Sequence, residues 1–279
     1  MLKKELQFYK SVYRQNLFHL QGDKVWQEFA VKKYIHSIQV LQTGRKILEA
    51  ETQLFSLPGK QKHLIETALL FHDIGRFKEA CHMHDIRFDG TRKSWFCHKF
   101  DHGMVSAEII SSEPVYNDWR LILPLRHHGH LIEALYTDSD YQRLNANSRQ
   151  EVNTIISVVR DADKLANLYA IKYKDNFRNE PFFLTCSEEL KFAPASLGVL
   201  HDFLNRKVVK TTDIRSLTDR ILCTLAWIHD FNFRSSVKIF QKEQYHLALF
   251  KELDIYTPDE SVRNEIKSTF EKFLSERLS

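Results

Sequence analysis

His36, His72, Asp73, His102, His127, His128 and Asp163 are the residues whose types and positions could do chemistry in this chain. His36 stands where a leucine is expected on an apolar helical stripe, and Asp163 interrupts an aliphatic one. A carboxylate buried in a core is costly unless it is paired or bound to a metal. One buried histidine is ordinarily a hydrogen-bonded core residue. Several imidazoles and carboxylates on converging helical stripes are most simply satisfied by metal ions. The chain holds four His-Asp steps, His72-Asp73, His84-Asp85, His201-Asp202 and His229-Asp230, so the dipeptide alone decides nothing. The first is set apart by its context, Ala68-Leu69-Leu70-Phe71-His72-Asp73-Ile74-Gly75-Arg76, the end of an apolar helix. Gly75 there is expected to turn the backbone away and leave both ligands at a cleft. The other three read as surface or core accidents.

The elements that must position these residues are helical. Val25, Phe29, His36, Val40, Thr43 and Ile47 mark one face of a long helix, with Lys32, Lys33, Gln42 and Lys46 off it. A second helix runs through Leu64, Ala68 and Phe71 and stops near Gly75. A third begins near His102, and a fourth runs from Trp119 to about His128 with Pro124 expected to kink or break it. A fifth carries Val152, Ile155, Ile156, Val159, Asp163 and Ala166 on one face. After a loop around 179–194, three more helical patterns reach Ser279. Only Ile86 to Phe96 reads as strand-like, with Asp89-Gly90 as a hairpin turn. The expected fold is therefore all-α, one unit over 1–279.

Composition bounds the function classes. Hydrophobic residues at 43% and charged residues at 27% describe an ordinary globule. A net charge of +4 is too small to argue for nucleic acid. No apolar run approaches the ~20 residues of a membrane helix, and MLKKELQFYK lacks the apolar stretch of a signal peptide. Four cysteines without framework spacing fit reduced thiols, so a cytoplasmic protein is expected.

The order His36, His72-Asp73, His102, His127, Asp163 resembles the HD superfamily of metal-dependent phosphohydrolases. Within it, HDIGRF, DHGMVSAEII, RHHG and RDADKLANL resemble the HDIG-type branch of stand-alone bacterial proteins, over about Tyr34 to Asn167. LTDRILCTLAWIHDFNF is similar to that branch's tail helix. The resemblance implies a helical HD bundle over 20–175 with a small hairpin-like lid inserted at 76–101 and a helical extension over 196–279. It implies His36, His72, Asp73 and Asp163 as shared metal ligands, with His102 and His127 added where two metals are held. Asp73 would bridge the ions. Two divalent ions are implied, iron or manganese first, with magnesium, zinc, nickel or cobalt as alternatives.

Two choices stay open at neighbouring positions. Asp161 competes with Asp163; the Ala-Asp-Lys-Leu pattern and the helical stripe both favour Asp163, leaving Asp161 to the helix surface or to the support of a ligand. His127 and His128 point about 100° apart on a helix, so both seldom bind one ion. His127 is favoured as ligand, with His128 a phosphate contact, proton donor or ligand to a further ion.

The implied reaction is hydrolysis of a phosphate ester, a nucleotide first, by metal-activated hydroxide. Arg76 stands where the cyclic-di-GMP phosphodiesterases of the superfamily have lysine, and reads as a clamp on phosphoryl oxygens. No Gly-Tyr-Pro segment follows His128, and no acidic pair follows Asp73 as it does in the (p)ppGpp hydrolases. Those specificities are not transferred. Arg87, Arg92, Lys93 and Lys99 lie between two expected ligands and offer a lid for an anionic substrate, with Lys164 and Asn167 as further substrate contacts. Cys81-His82-x-His84 with Cys97-His98 invites a zinc reading, although adjacent pairs do not match finger spacing. The alternatives are a di-iron oxygenase of a polyol or phosphonate and a non-catalytic binding module. The partner expected is a small phosphorylated molecule, with no nucleic acid and no membrane, and the oligomeric state is not written in the sequence.

Overall fold

Aspartates open three of the helices that carry the candidate residues. Asp23 Oδ1 accepts from the backbone N–H groups of Val25 and Trp26, Asp101 Oδ1 from Met104 and Asp118 Oδ1 from Arg120. Each satisfies donors that a first helical turn leaves without partners and sets a negative charge at the positive end of the helix dipole. A computed structural model of the chain describes residues 2–86, 100–174, 177–179, 183 and 186–279. Among these the fold is all-α, with no strand. The first helices are α1 (Lys3–His19), α2 (Lys24–Ala50), α3 (Thr52–Phe55), α4 (Gly59–Phe71) and α5 (Arg76–Asp85). They are followed by α6 (His102–Ser111), α7 (Trp119–His127), the short α8 (Ile132–Thr137) and α9 (Ser139–Gln142), and α10 (Ala146–Lys174).

The described residues gather into two compact units, one drawn from 2–86 and 100–166 and one from the described residues after 166. In the first, α2 packs on α4 and α5, and α6 packs on α7. Its core holds Tyr9, Ile47, Ile65, Leu69, Leu70, Phe71 and Phe77, each below 2% exposed. The α6–α7 contact is close: a Cβ on Gly103 would stand 2.7 Å from the carbonyl oxygen of Arg126. The second unit is built on α11 (Glu188–Lys191), α12 (Leu197–Leu204), α13 (Leu217–Leu225), α14 (Arg234–Lys242), α15 (Tyr245–Tyr256) and α16 (Glu260–Leu278). Its α13 opens on a reciprocal cap between Ser216 and Asp219. No helix of the described residues is long and apolar enough to cross a membrane.

Several expectations are corrected here. The stripe on α2 begins on Trp26 and Ala30, whereas Val25 is 69% exposed, and it joins the expected face at His36, Val40 and Ile47. Helix α7 runs undivided through Pro124. The proline lies in the second turn, where its missing N–H forfeits the bond to the carbonyl of Arg120 without ending the helix. After residue 194 there are five helices of at least eight residues rather than three. Left-handed backbone at Arg206 (φ 60°) and Gln244 (φ 51°) breaks the apolar pattern between them. The proposed strand and hairpin fall outside the described residues except for Ile86, which lies in the turn after α5.

Gly75 also differs from expectation. Its φ of −65° and ψ of −20° are ordinary helical values that any residue adopts. A Cβ there would instead stand 2.4 Å from the carbonyl oxygen of His102 and 2.8 Å from the amide nitrogen of Ser106. The glycine is needed because α6 passes against the backbone, not because the chain must turn. Ser106 fixes the approach: its Oγ accepts from Gly75 N at 2.9 Å and lies 2.9 Å from the carbonyl oxygen of His72.

Candidate metal centre

The end of α4 is a run of fully buried residues, Ala68 to Phe71, and the chain carries His72 and Asp73 straight out of it. His72 is 0% exposed, and its Nδ1 donates to the carbonyl of Leu69 at 2.9 Å. That bond fixes the tautomer and leaves the Nε2 lone pair pointing inward. Nε2 is buried with no hydrogen-bond partner. Burial, opposed by the charges of Asp73 and Asp163, lowers the His72 pKa to about 4, so the ring is neutral. His128 repeats the device at the end of α7, where Nδ1 donates to the carbonyl of Leu125 at 2.7 Å.

His128 Nε2 pairs with His102 Nε2 at 3.3 Å, and around it and the unpartnered Nε2 of His72 the other groups converge. Asp73 Oδ2 lies 3.8 Å from His72 Nε2 and 4.0 Å from His36 Nε2. Its Oδ1 lies 3.5 Å from His128 Nε2 and 3.4 Å from His102 Nε2. Asp163 Oδ1, from α10, lies 2.8 Å from His36 Nε2 and 3.7 Å from His72 Nε2. Two overlapping triads, His36-His72-Asp163 and His72-Asp73-His128, each keep their ligand atoms within 4.8 Å of one another. Imidazole nitrogens beside two carboxylates form a donor set of nitrogen and oxygen that suits a divalent cation. The unpartnered Nε2 of His72 is the atom such a cation would satisfy.

The electrostatics agree. Burial pushes the Asp73 carboxyl up, but Lys33 and Arg76 beside it hold it well below the usual carboxylate range. Lys33 Nζ is 3.4 Å from Asp73 Oδ2, and Arg76 Nε is 3.5 Å from Asp73 Oδ1. Burial likewise pushes Asp163 up, and the hydrogen bond and charge of His36 hold it well down. His102 is kept neutral first by burial and then by the nearby Arg76. Arg76 itself is anchored on Glu79 at 2.6 Å.

The structure brings together His36, His72, Asp73, Arg76, His102, His128 and Asp163. It does not bring in His127, the expected ligand. His127 Nε2 is 2.7 Å from Asp138 Oδ2, and Arg126 reaches the same oxygen at 2.8 Å. With neighbours on a helix about 100° apart, turning His128 into the cluster turns His127 away. Arg160 of α10 secures this end of α7 by donating to the carbonyls of His128, at 3.2 Å, and His130. Asp161 is fully buried and so has no place on the helix surface. Lys164 is nearly buried, its Nζ 3.5 Å from the carbonyl of Arg160, and Asn167 belongs to the second unit. Arg87, Arg92, Lys93 and Lys99, with Cys97 and His98, lie outside the described residues.

Sequence reasoning set Lys33 aside as off the buried face, although its spacing of three from His36 could have placed it on the site's side of α2. It also passed over the cleft beside His102. A cavity of about 310 Å³ is lined by His102, Arg126 and His130 together with Phe100, Asp101, Gly103 and Gly129. His130 Nε2 lies 3.3 Å from Asp101 Oδ2.

Residues 34–168 match the family model of the HD domain. No curated protein and no solved structure matches the chain.

Proposed function

Since the chain belongs to the HD superfamily through residues 34–168, we propose that it is a metal-dependent phosphohydrolase acting on a phosphate ester, a nucleotide first. The observation that carries this reading is the buried, unpartnered Nε2 of His72 among two carboxylates and three further imidazoles. His36, His72, Asp73, His102, His128 and Asp163 would hold two divalent ions. When bound, the ions supply Lewis-acid activation of water and neutralise charge on phosphorus-bound oxygens.

The chain's own groups do the rest. Asp73 offers one oxygen toward His36 and His72 and the other toward His102 and His128, the disposition of a shared ligand. Lys33 and Arg76 place positive charge beside Asp73, where an anionic phosphoryl group would sit. Glu79 fixes the guanidinium of Arg76, so the clamp is oriented before substrate arrives. In the adjoining cleft Arg126 would bind the leaving part of the substrate. His130, paired with Asp101, would contact the departing oxygen. The basic residues 87–99 keep their role as a proposed lid on sequence grounds.

The test is phosphate release from a panel of nucleotides and simple phosphate esters, with Mn²⁺ and Fe²⁺ added to chelator-treated protein. Metal-dependent release that fails in Asp73→Ala supports the reading. Oxygen consumption on polyols or phosphonates without phosphate hydrolysis overturns it.

A further inference from the structure

Of the His-Asp steps that read as accidents, one is not isolated. His84 and Asp85 end α5, and His19 ends α1. His19 Nε2 lies 2.8 Å from Asp85 Oδ1, and His84 Nδ1 lies 3.0 Å from the same oxygen. The three ligand atoms fall within 4.8 Å of one another. Side-chain exposures of 51% for His19, 34% for His84 and 52% for Asp85 leave the group open to solvent, unlike the buried centre.

We propose that His19, His84 and Asp85 form a second, surface metal site for a borderline divalent transition-metal ion such as Zn²⁺. Two imidazoles and one carboxylate are a donor set that zinc takes, with water completing the coordination. The far nitrogen of His84 supplies the second observation. While Nδ1 faces Asp85, Nε2 faces Asp23 Oδ2 at 4.0 Å. Asp23 is itself fixed, because its Oδ1 caps α2 through Val25 and Trp26. A ligating histidine ordinarily has a carboxylate on the side of its other nitrogen, and Asp23 stands on that side of His84, at ion-pair rather than hydrogen-bond distance. Asp85 and Asp23 place two carboxylates beside the rings, charge that a dication would offset. Cys81, whose sequence position invited a zinc reading, is not a member. Its Sγ lies 3.4 Å from Asn16 Oδ1.

An ion here would tie the end of α1 to the end of α5, the helix that begins at Arg76 directly after the buried His72-Asp73 step. The inference does not depend on the reaction assigned to the buried centre. It is tested on the full chain, stripped with chelator, dialysed against Zn²⁺ near neutral pH and analysed for zinc per chain. His19→Gln and Asp85→Asn alter exposed positions where exchanges usually cost little stability. Each is expected to hold one equivalent of zinc less than the wild type, whatever the buried centre retains. Zn²⁺ should also protect His19 and His84 of the wild type, but not of Asp85→Asn, from diethyl pyrocarbonate, read by mass spectrometry. Equal zinc in all three proteins, or no protection of these rings by zinc, means that the group is a hydrogen-bonded cluster and overturns the proposal.

Discussion

Asp163 Oδ1 lies 2.8 Å from Nε2 of His36, joining residues 127 positions apart on the two longest helices of the described chain. Each residue breaks an apolar stripe, and each break is explained by the other. The pair is only part of a larger set, because His72 and Asp73 close on the same point from the end of α4. Four groups that would each be costly when buried alone thus share one environment.

The neighbouring histidines of α7 should separate cleanly by substitution. His128→Gln is expected to lose metal binding and turnover while keeping the fold. His127→Gln is expected to keep its metal and lose about 1–2 kcal/mol of stability through the partner bond to Asp138. Elemental analysis and denaturant unfolding of the two variants check this. The opposite pattern would restore His127 as ligand.

Gly75→Ala should destabilise the protein by roughly 1–3 kcal/mol or more, because the added methyl meets backbone atoms of α6, which cannot swing aside. It should also lower metal content, since the methyl would press on the carbonyl of His102, a proposed ligand. Urea unfolding together with metal analysis reads both effects. A neutral Gly75→Ala would contradict the close approach of α6.

In the second unit, His229 makes stability depend on pH. Burial, followed by the charges of Arg277 and Arg206, lowers its pKa from 6.5 to about 4. Between those values the unfolded chain binds the proton and the folded chain does not, so stability rises with pH through the window. Its contribution is fully present above 6.5 and is lost as pH falls toward 4. Melting temperature should therefore drop on acidification over this range, and drop less in His229→Gln. Equal pH dependence in the two proteins would exclude His229 as a source.

Helical class was legible because apolar spacing reports directly which faces are buried. His36 was legible because it interrupts an apolar face, and His72, Asp73, His102 and Asp163 chiefly because their order resembles a known superfamily. What was not legible depends on contacts between distant segments. Residues 158–162 of α10 are buried all round, so no stripe there could decide between Asp161 and Asp163. The choice of His128 over His127 follows from how α7 is rotated against its neighbours, which Arg160 secures from another helix. Lys33 was hidden by its type, since a lysine off the apolar face reads as solvated until Asp73 is seen beside it. The need for glycine at 75 lies in the carbonyl of His102, which no local pattern announces.

Metal content of the protein purified without chelator, measured beside Asp73→Ala, tests the buried centre most directly. Asp73 touches both halves of the cluster, so its removal takes a ligand from each. The wild type is expected to carry stoichiometric divalent metal, and Asp73→Ala to lose most of it along with all phosphate release, while circular dichroism still reports the helical fold. Retention of the full wild-type complement of metal by a folded Asp73→Ala would contradict the assignment.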